Sequence, residues 1–137
     1  MKRFVLDTNS ILRIIKYDSV FHIAWEKFGK GEFELCVTTE ILLEYDEILH
    51  KKLPSKIADS VMRQIQLAYN VVEIEPDYKF NLIVADYDDN KFVDCAIAAN
   101  AEYIVSDDKH YKVLENIDFP IVIVKKLQEF ICDLKGK

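Results

Sequence analysis

Hydrophobic residues occur in two alternating patterns along the chain. Short runs rich in Val and Ile, each followed by polar residues, alternate with longer segments in which apolar residues recur every three or four positions. The first pattern is typical of buried parallel strands, and the second of helices that pack on them. The alternation predicts the α/β class, with a central parallel sheet covered by helices.

Five apolar runs are predicted to be strands, at residues 4–6, 33–37, 71–74, 103–105 and 121–124. Helices are predicted between most of them, and a last helix at residues 127–134 ends the pattern. Polar side chains ahead of the helices are expected to accept hydrogen bonds from the first free N–H groups. The expected N-caps are Ser19, Thr38 or Thr39, Ser55, and Asp89 or Asn90.

The composition indicates one ordered domain over residues 1–137. Half of the residues are hydrophobic, 31% are charged, and there are only 3 Gly and 3 Pro. A chain of this length can bury its own core. The net charge of -6 argues against a broad basic surface for nucleic acid. It leaves open catalysis on nucleic acid, because bound divalent ions can supply the positive charge at a phosphate.

The cysteines and the apolar runs indicate a cytoplasmic protein. Cys36, Cys95 and Cys132 form no C-x-x-C pair and lie in apolar segments, where a free thiol behaves as a small hydrophobic side chain. The first residues do not resemble a signal peptide, and no apolar run is long enough to cross a membrane. No membrane partner is expected.

Carboxylates follow the predicted strands at one edge of the sheet. Asp7 follows the first strand, Asp108 lies shortly after the fourth, and Asp89 and Asp94 belong to the first turns of one helix. Glu44 lies in the second turn of the helix that follows the second strand. Because the carboxyl ends of parallel strands share one edge, we expect these acids to converge.

Several ionised carboxylates in one place repel one another, so the arrangement requires a compensating cation. Each acid alone has an ordinary structural explanation, since acids commonly cap helices or favour their first turns. Taken together they predict a site for a hard divalent ion with oxygen ligands, Mg²⁺ or Mn²⁺. His22, His50 and His110 share no ligand spacing, so neither a zinc site nor a histidine base is expected.

Four segments carry a family resemblance. They are Leu6-Asp7-Thr8-Asn9, the run from Glu40 to Tyr45, the run from Asp89 to Ala96, and the run from Tyr103 to Asp108. In this order and at these distances they resemble the PIN-domain family, and in particular VapC-like ribonucleases. The resemblance covers nearly the whole chain and is weakest between Lys52 and Asp86.

The resemblance implies a PIN-like α/β/α sandwich and an endoribonuclease that cleaves single-stranded RNA with Mg²⁺ or Mn²⁺. It implies two-metal phosphodiester hydrolysis and a toxin that pairs with a cognate antitoxin, and relatives commonly form homodimers. Asp7, Glu44, Asp94 and Asp108 are the expected catalytic acids, and all except Glu44 are the expected metal ligands. Supporting roles are expected for Asn9, Asp89 and Ser106, of which Asn9 and Ser106 would fix neighbouring carboxylates by hydrogen bonding.

The third acid is the point where the chain departs from the family pattern. Asp94 precedes a Cys-Ala-Ile-Ala-Ala segment as an Asp does in many relatives, but it lies only 14 positions before Asp108. An alignment without a gap places Asn90 there instead. Asn90 and Asp94 share a helix face, so Asp94 is the preferred third acid and Asp89 the substitute.

Three other readings remain open. A receiver-like phospho-switch needs adjacent acids after the first strand, but Thr8 follows Asp7. It also needs an Asp acceptor after the middle strand, but the third strand ends at Glu75-Pro76. Lys125, which follows a late strand, is the one feature that fits such a module. A haloacid-dehalogenase phosphatase would have a second Asp where Asn9 stands. An inactive PIN scaffold that binds RNA or a protein is the third alternative.

Overall fold

The apolar runs form a central parallel sheet. The computed structural model describes residues 1–83 and 87–136. Its strands are β1 (Arg3–Leu6), β2 (Glu34–Val37), β3 (Val71–Glu73), β4 (Tyr103–Val105) and β5 (Val124–Lys125), in the spatial order β3-β2-β1-β4-β5. All neighbouring strands are parallel, as predicted. The order reverses between β1 and β4, where the carboxyl ends of an open parallel sheet leave a crevice for ligands.

Helices complete an α/β/α sandwich, which confirms the predicted fold class. They are α1 (Thr8–Ile15), α2 (His22–Gly29), α3 (Thr39–Lys52), α4 (Ser55–Leu67), α5 (Asn90–Ala99) and α6 (Leu127–Lys135), with 3-10 helices at Tyr87–Asp89 and Lys109–Asn116. α5 packs on β1, β2 and β4, and α1 contacts α2 and α3. In the described part of the chain, no helix is both long and apolar enough to span a bilayer.

An aromatic cluster fixes β1 beside β4. The ring of Phe4 in β1 lies 5.7 Å from Phe33, 5.0 Å from Tyr103 of β4 and 5.0 Å from Phe130 of α6. Phe4, Phe33 and Phe130 are almost fully buried. Edge-to-face packing at these distances adds to the stabilisation from area burial. The cluster therefore holds the two strands whose carboxyl ends flank the crevice.

Two of the three cysteines are buried as expected. Burial raises the pKa of Cys36 to about 11 and that of Cys95 to about 12. Cys132 is exposed, so the expectation for it was wrong. α6 buries a three-to-four-spaced stripe, Leu127, Phe130, Ile131 and Leu134, and Cys132 lies outside it. Cys132 lines a surface groove with Lys2 and Glu102, which precede β1 and β4.

The helix caps agree only in part with the expectation. Ile41 donates its N–H to Thr38 Oγ1 at 3.1 Å, so Thr38 caps α3 as predicted. Ser55 is the first residue of α4 and Pro54 holds the cap position, so Ser55 is not the cap. Ser19 was also wrong, because its hydroxyl accepts from Phe21 and closes the turn ahead of α2. At both boundaries a serine lies one or two positions from the cap position, and this serine was wrongly predicted to be the cap.

The last strand is shorter than predicted and starts later. Residues 121–124 were expected to form it, but β5 comprises only Val124–Lys125. Ile104 donates to the Ile123 carbonyl at 2.9 Å, while the Ile121 and Ile123 side chains are 75% and 52% exposed. β5 is an edge strand of the described sheet, so the apolar run before it has no second neighbour to complete a ladder. The composition of this apolar run does not show that it lies at the edge of the sheet.

His50 joins α3 to α4 and makes the stability of this contact depend on pH. Its Nδ1 lies 2.9 Å from Asp46 Oδ1 of α3, and its Nε2 lies 2.7 Å from Asp59 Oδ1 of α4. The hydrogen bonds to the Asp46 carbonyl and to Asp59 raise the pKa of His50. A raised folded-state pKa gives stability that is present below the ordinary value of about 6.5 and is lost as the pH rises through the folded-state pKa.

We therefore expect the melting temperature of the wild type to fall between about pH 6 and about pH 8 by more than that of His50→Gln. The glutamine variant retains a polar side chain but cannot carry the charge, so it isolates the titration of His50 from that of other groups. Equal pH dependence in the two proteins would show that the imidazolium does not stabilise the α3–α4 contact.

Candidate active site

Asp7 lies where β1 passes into α1. Its Oδ1 accepts a hydrogen bond from the Ser10 N–H at 2.9 Å, which caps α1. Its Oδ2 accepts from the Ser106 hydroxyl, which follows β4. The side chain is almost completely buried. Asp7 is thus held from both sides of the crevice between β1 and β4.

Burial raises the pKa of the Asp7 carboxyl, and the hydrogen bonds from Ser106 and Ser10 offset part of this effect. The negative charge of Asp108 raises the pKa further. Asp7 and Asp108 are therefore close enough for their charges to interact, as the strand-end argument predicted. An ionised Asp7 is energetically unfavourable here unless a positive charge lies nearby.

Ser106 links Asp7 with Asp108. Its Oγ accepts from the Asp108 N–H at 3.0 Å and donates to Asp7. Asp108 caps the second 3-10 helix, because its Oδ1 accepts from the His110 N–H at 2.8 Å. One hydroxyl therefore couples the ends of β1 and β4, which is the kind of contact expected of Ser106.

Asp89, Asp108 and His110 form a group that could hold a metal ion. One possible ligand atom from each lies within 4.8 Å of the others, and no other such group occurs among the described residues. The His110 Nδ1 lies 3.3 Å from Asp108 Oδ1 and 3.7 Å from Asp89 Oδ2. The substitute third acid and an unexpected histidine thus lie beside Asp108.

Tyr111 is a buried residue on which the charges of the acids act. Its side chain is 2% exposed, and its buried hydroxyl has no hydrogen-bond partner among the described residues. Burial raises the pKa of Tyr111, and the negative charges of Asp89, Asp7, Asp108 and Glu44 raise it further, in that order. The charges of four carboxylates therefore act on one buried phenol.

Glu44 reaches this cluster from α3. Its Oε2 accepts from the Thr8 hydroxyl, and its Oε1 lies 2.7 Å from Lys91 Nζ. Both of its oxygens are engaged by groups on other elements, α1 and α5. Glu44 therefore contributes its charge to the cluster from a fixed position.

Asp94 lines a cavity of about 140 Å³, together with Glu40, Lys79 and Lys91. It is buried, and its Oδ1 accepts from the Phe80 N–H at 3.1 Å. Burial and the charge of Glu40 raise the pKa of Asp94, against the lowering effects of the Phe80 N–H and Lys79. The charges that act on Asp94 are thus those of its own cavity, whereas Asp108 acts on Asp7.

A family model described as the PIN domain matches residues 3–110, which include all four clustered acids and His110. The chain belongs to the PIN-domain family. PIN domains are generally nucleases. No curated protein sequence matches this PIN domain significantly.

Solved structures share the fold of this PIN domain at low sequence identity. VapBC2 from Rickettsia felis, bound to a DNA fragment from its promoter, is 16% identical with a TM-score of 0.62 over 90% of this chain and 98% of that one. PAE2754 from Pyrobaculum aerophilum is 12% identical, with a TM-score of 0.65 over 99% and 91%. DNA-bound VapBC from Salmonella typhimurium is 18% identical, with a TM-score of 0.56 over 93% and 99%.

Some residues of this PIN domain lie elsewhere than sequence reasoning suggested. Asn9 is exposed, and the groups that hydrogen-bond Asp7 are Ser10 and Ser106. Asn90 is buried and clamps the backbone of Ile83, accepting from its N–H at 2.9 Å and donating to its carbonyl at 2.8 Å. Position 90 thus holds the chain that leads into α5.

Three residues near the acids were missed, namely Lys91, His110 and Tyr111. The proximity of His110 to Asp108 in the sequence was the only available signal for the histidine. The sequence pattern places Lys91 on the solvent-exposed face of a helix and Tyr111 in the core. Only the packing shows that both side chains point towards the acids.

Proposed function

We propose that this PIN domain is a metal-dependent endoribonuclease that hydrolyses phosphodiester bonds in single-stranded RNA. The observation that carries the proposal is the grouping of Asp89 and Asp108 with His110 within 4.8 Å, joined to the buried Asp7 through the Ser106 hydroxyl. It lies at the crevice between β1 and β4, where the topology favours ligand binding. Like charges gathered at one partly buried place are characteristic of sites that operate with a cation.

The residues present fit a hard divalent ion. Asp7, Asp89 and Asp108 offer carboxylate oxygens, which suit Mg²⁺ and Mn²⁺. Asp89 takes the place of the third acid in this proposal because its carboxylate lies beside Asp108; Asp94 as a ligand remains the prediction from the sequence. When bound, such an ion supplies a water of lowered pKa and offsets negative charge on the leaving oxygen.

The chain's own residues orient the acids and provide a donor. Ser10 and Ser106 fix the Asp7 carboxylate, and Ser106 also fixes the Asp108 backbone. Rigid acids favour productive geometry, since small misplacements are costly in catalysis. Tyr111, whose pKa is raised, remains protonated at neutral pH and can donate a hydrogen bond within the cluster.

A groove beside Asp108 places lysines close to the acids. It has a volume of about 290 Å³ and contains the lysines Lys109, Lys112 and Lys126 around a partly apolar wall. Four acids line the same groove, so its lining carries one more acid than lysine: Asp107, Asp108, Glu115 and Glu129. Lysines close to the acids can contact phosphates even though the net charge of the protein is -6.

We further propose a toxin–antitoxin role with a cognate antitoxin. Support comes from the fold shared with VapBC2 and VapBC, both of which were solved bound to DNA. A homodimer and a cytoplasmic location are also proposed, the first from the resemblance and the second from the unpaired cysteines. These partners concern regulation and do not change the chemistry proposed for the acids.

The direct test is cleavage of labelled single-stranded RNA by the metal-free protein, with and without Mn²⁺ or Mg²⁺. We expect cleavage only when the ion is added, with 5′-phosphate and 3′-hydroxyl ends, and weaker cleavage of duplex RNA and single-stranded DNA. Undiminished cleavage in excess EDTA would contradict metal dependence. RNA binding without cleavage under all conditions would favour the inactive scaffold.

A further inference from the structure

Lys91 is a nearly buried cation that contacts Glu44 and lines the cavity of Asp94. Its side chain is 13% exposed, and its Nζ lies 2.7 Å from Glu44 Oε1. The same ammonium donates to the Asp88 carbonyl at 2.7 Å and lies 5.4 Å from the centre of the Phe92 ring. Three contacts from the start of α5 therefore fix a positive charge beside an acid of α3.

The acid that Lys91 holds is a member of the cluster. The Glu44 charge acts on the Tyr111 hydroxyl together with those of Asp7, Asp89 and Asp108. The second oxygen of Glu44 accepts from Thr8, so neither of its oxygens is without a protein donor. Glu44 thus differs from Asp89 and Asp108, which lie in the group suited to a metal ion.

We propose that Lys91 is the resident cation of this site, which positions Glu44 and lowers the affinity of the other acids for a divalent ion. The inference rests on the proposed metal dependence. A fixed ammonium offsets one carboxylate charge at all times and repels an incoming ion. Because the Lys91 side chain is only 13% exposed, both effects are less screened than on the surface.

The acids therefore have two different roles. Asp7, Asp89 and Asp108 serve the exchangeable ion, while Glu44 and Lys91 form a pair that does not exchange. Removal of the Lys91 charge frees Glu44 and makes the site more negative, so divalent ions bind more tightly. Cleavage nevertheless slows, because Glu44 loses the contact that holds it in place. Tighter metal binding combined with slower turnover distinguishes this role from a merely structural one.

The experiment is calorimetric titration of the metal-free full chain with Mn²⁺, in the absence of RNA. Lys91→Met keeps the apolar stem and removes the charge, and its dissociation constant should fall by about tenfold or more. Lys91→Arg keeps the charge and should remain within about threefold of the wild type. Lys79→Met is the matched control, because Lys79 and Lys91 both line the cavity of Asp94 but the ion pair with Glu44 is made by Lys91; the Mn²⁺ affinity of this variant should be unchanged.

Folding of each variant is checked by circular dichroism, and Lys91→Gln replaces Lys91→Met if the latter does not fold. Equal or weaker Mn²⁺ binding by the neutral variant, including no binding by either protein, overturns the proposal. So does equal tightening in Lys79→Met. The turnover at saturating Mn²⁺ should fall in Lys91→Met and be restored in Lys91→Arg. A wild type that binds Mn²⁺ but cleaves no RNA contradicts the proposed nuclease function and leaves the titration interpretable.

Discussion

Asp7→Asn should abolish RNA cleavage and raise the melting temperature of the metal-free protein. The loss of activity is expected to be on the order of a hundredfold or more, because a charged ligand of the ion is removed. The gain in stability follows from burial, which raises the pKa of Asp7 and makes its ionised form unfavourable. Asn caps helices about as well as Asp, so the hydrogen bond from Ser10 is retained. Ser106 can turn its hydroxyl to accept from the new amide.

Asp7→Ala is the matched control, since it removes the charge and the cap together. Loss of an N-cap costs about 1 kcal/mol, so this variant should lose some or all of the stability gained by Asp7→Asn. Thermal melting with and without Mn²⁺ checks both variants. At about a hundredfold excess over its dissociation constant, an ion bound only to the folded state adds roughly 2.7 kcal/mol, which the wild type should show and Asp7→Asn largely lose. An active Asp7→Asn, or one less stable than the wild type without metal, would contradict the proposed role of Asp7.

Asp89→Asn and Asp94→Asn should separate the two candidates for the third acid. Asp89 lies beside Asp108 and His110, so its substitution should reduce cleavage by about tenfold or more and weaken the stabilisation by Mn²⁺. Its side chain makes no capping bond to α5, so little helix stability should be lost. Asp94→Asn can keep the bond from Phe80 and removes a buried charge. It should raise the melting temperature without metal and leave the response to Mn²⁺ intact.

The same cleavage and melting assays check this pair, and each variant serves as the control for the other. The reverse pattern, with activity lost in Asp94→Asn and retained in Asp89→Asn, would show that the ligand expected from the family motif is correct. It would also mean that the acids around Tyr111 act without Asp89.

The parallel sheet and the proximity of two of the acids followed from simple rules. Apolar runs bounded by polar residues located the strands, and the shared edge of parallel strands brought Asp7 close to Asp108. The cap at Thr38 followed from the chemistry of the free N–H groups at a helix start. These features depend on short segments of sequence and on the order of the elements, and both can be read from a single sequence.

The position of the third acid could not be derived in the same way. Phe92, Val93, Asp94, Cys95 and Ala96 are consecutive and all buried in α5. A helix buried on most of its circumference has no periodic polar face, so the sequence does not show which side points to the site. Asp89 is the last residue of the short 3-10 helix Tyr87–Asp89, which precedes α5. The direction of its side chain therefore depends on that 3-10 helix.

Tyr111 and His110 lie in a 3-10 helix that was not predicted from the sequence. The second 3-10 helix, Lys109–Asn116, has three residues per turn, which places Tyr111 on the same side as Asp108. In an extended segment, residues three positions apart would point to opposite faces. Tyrosine is frequent in cores, so its type alone did not mark it as part of a site.

The exposed thiol on α6 provides a point of attachment remote from the acids. Cys132 lies by Lys2 and Glu102, near the amino ends of β1 and β4, whereas the acids lie at the carboxyl ends of these strands. Cys36 and Cys95 are buried and their pKa values are raised, so their thiols remain protonated and inaccessible to alkylating reagents. A maleimide dye or a surface linker would therefore modify one residue on the far side of the sheet and leave the crevice open to an RNA strand.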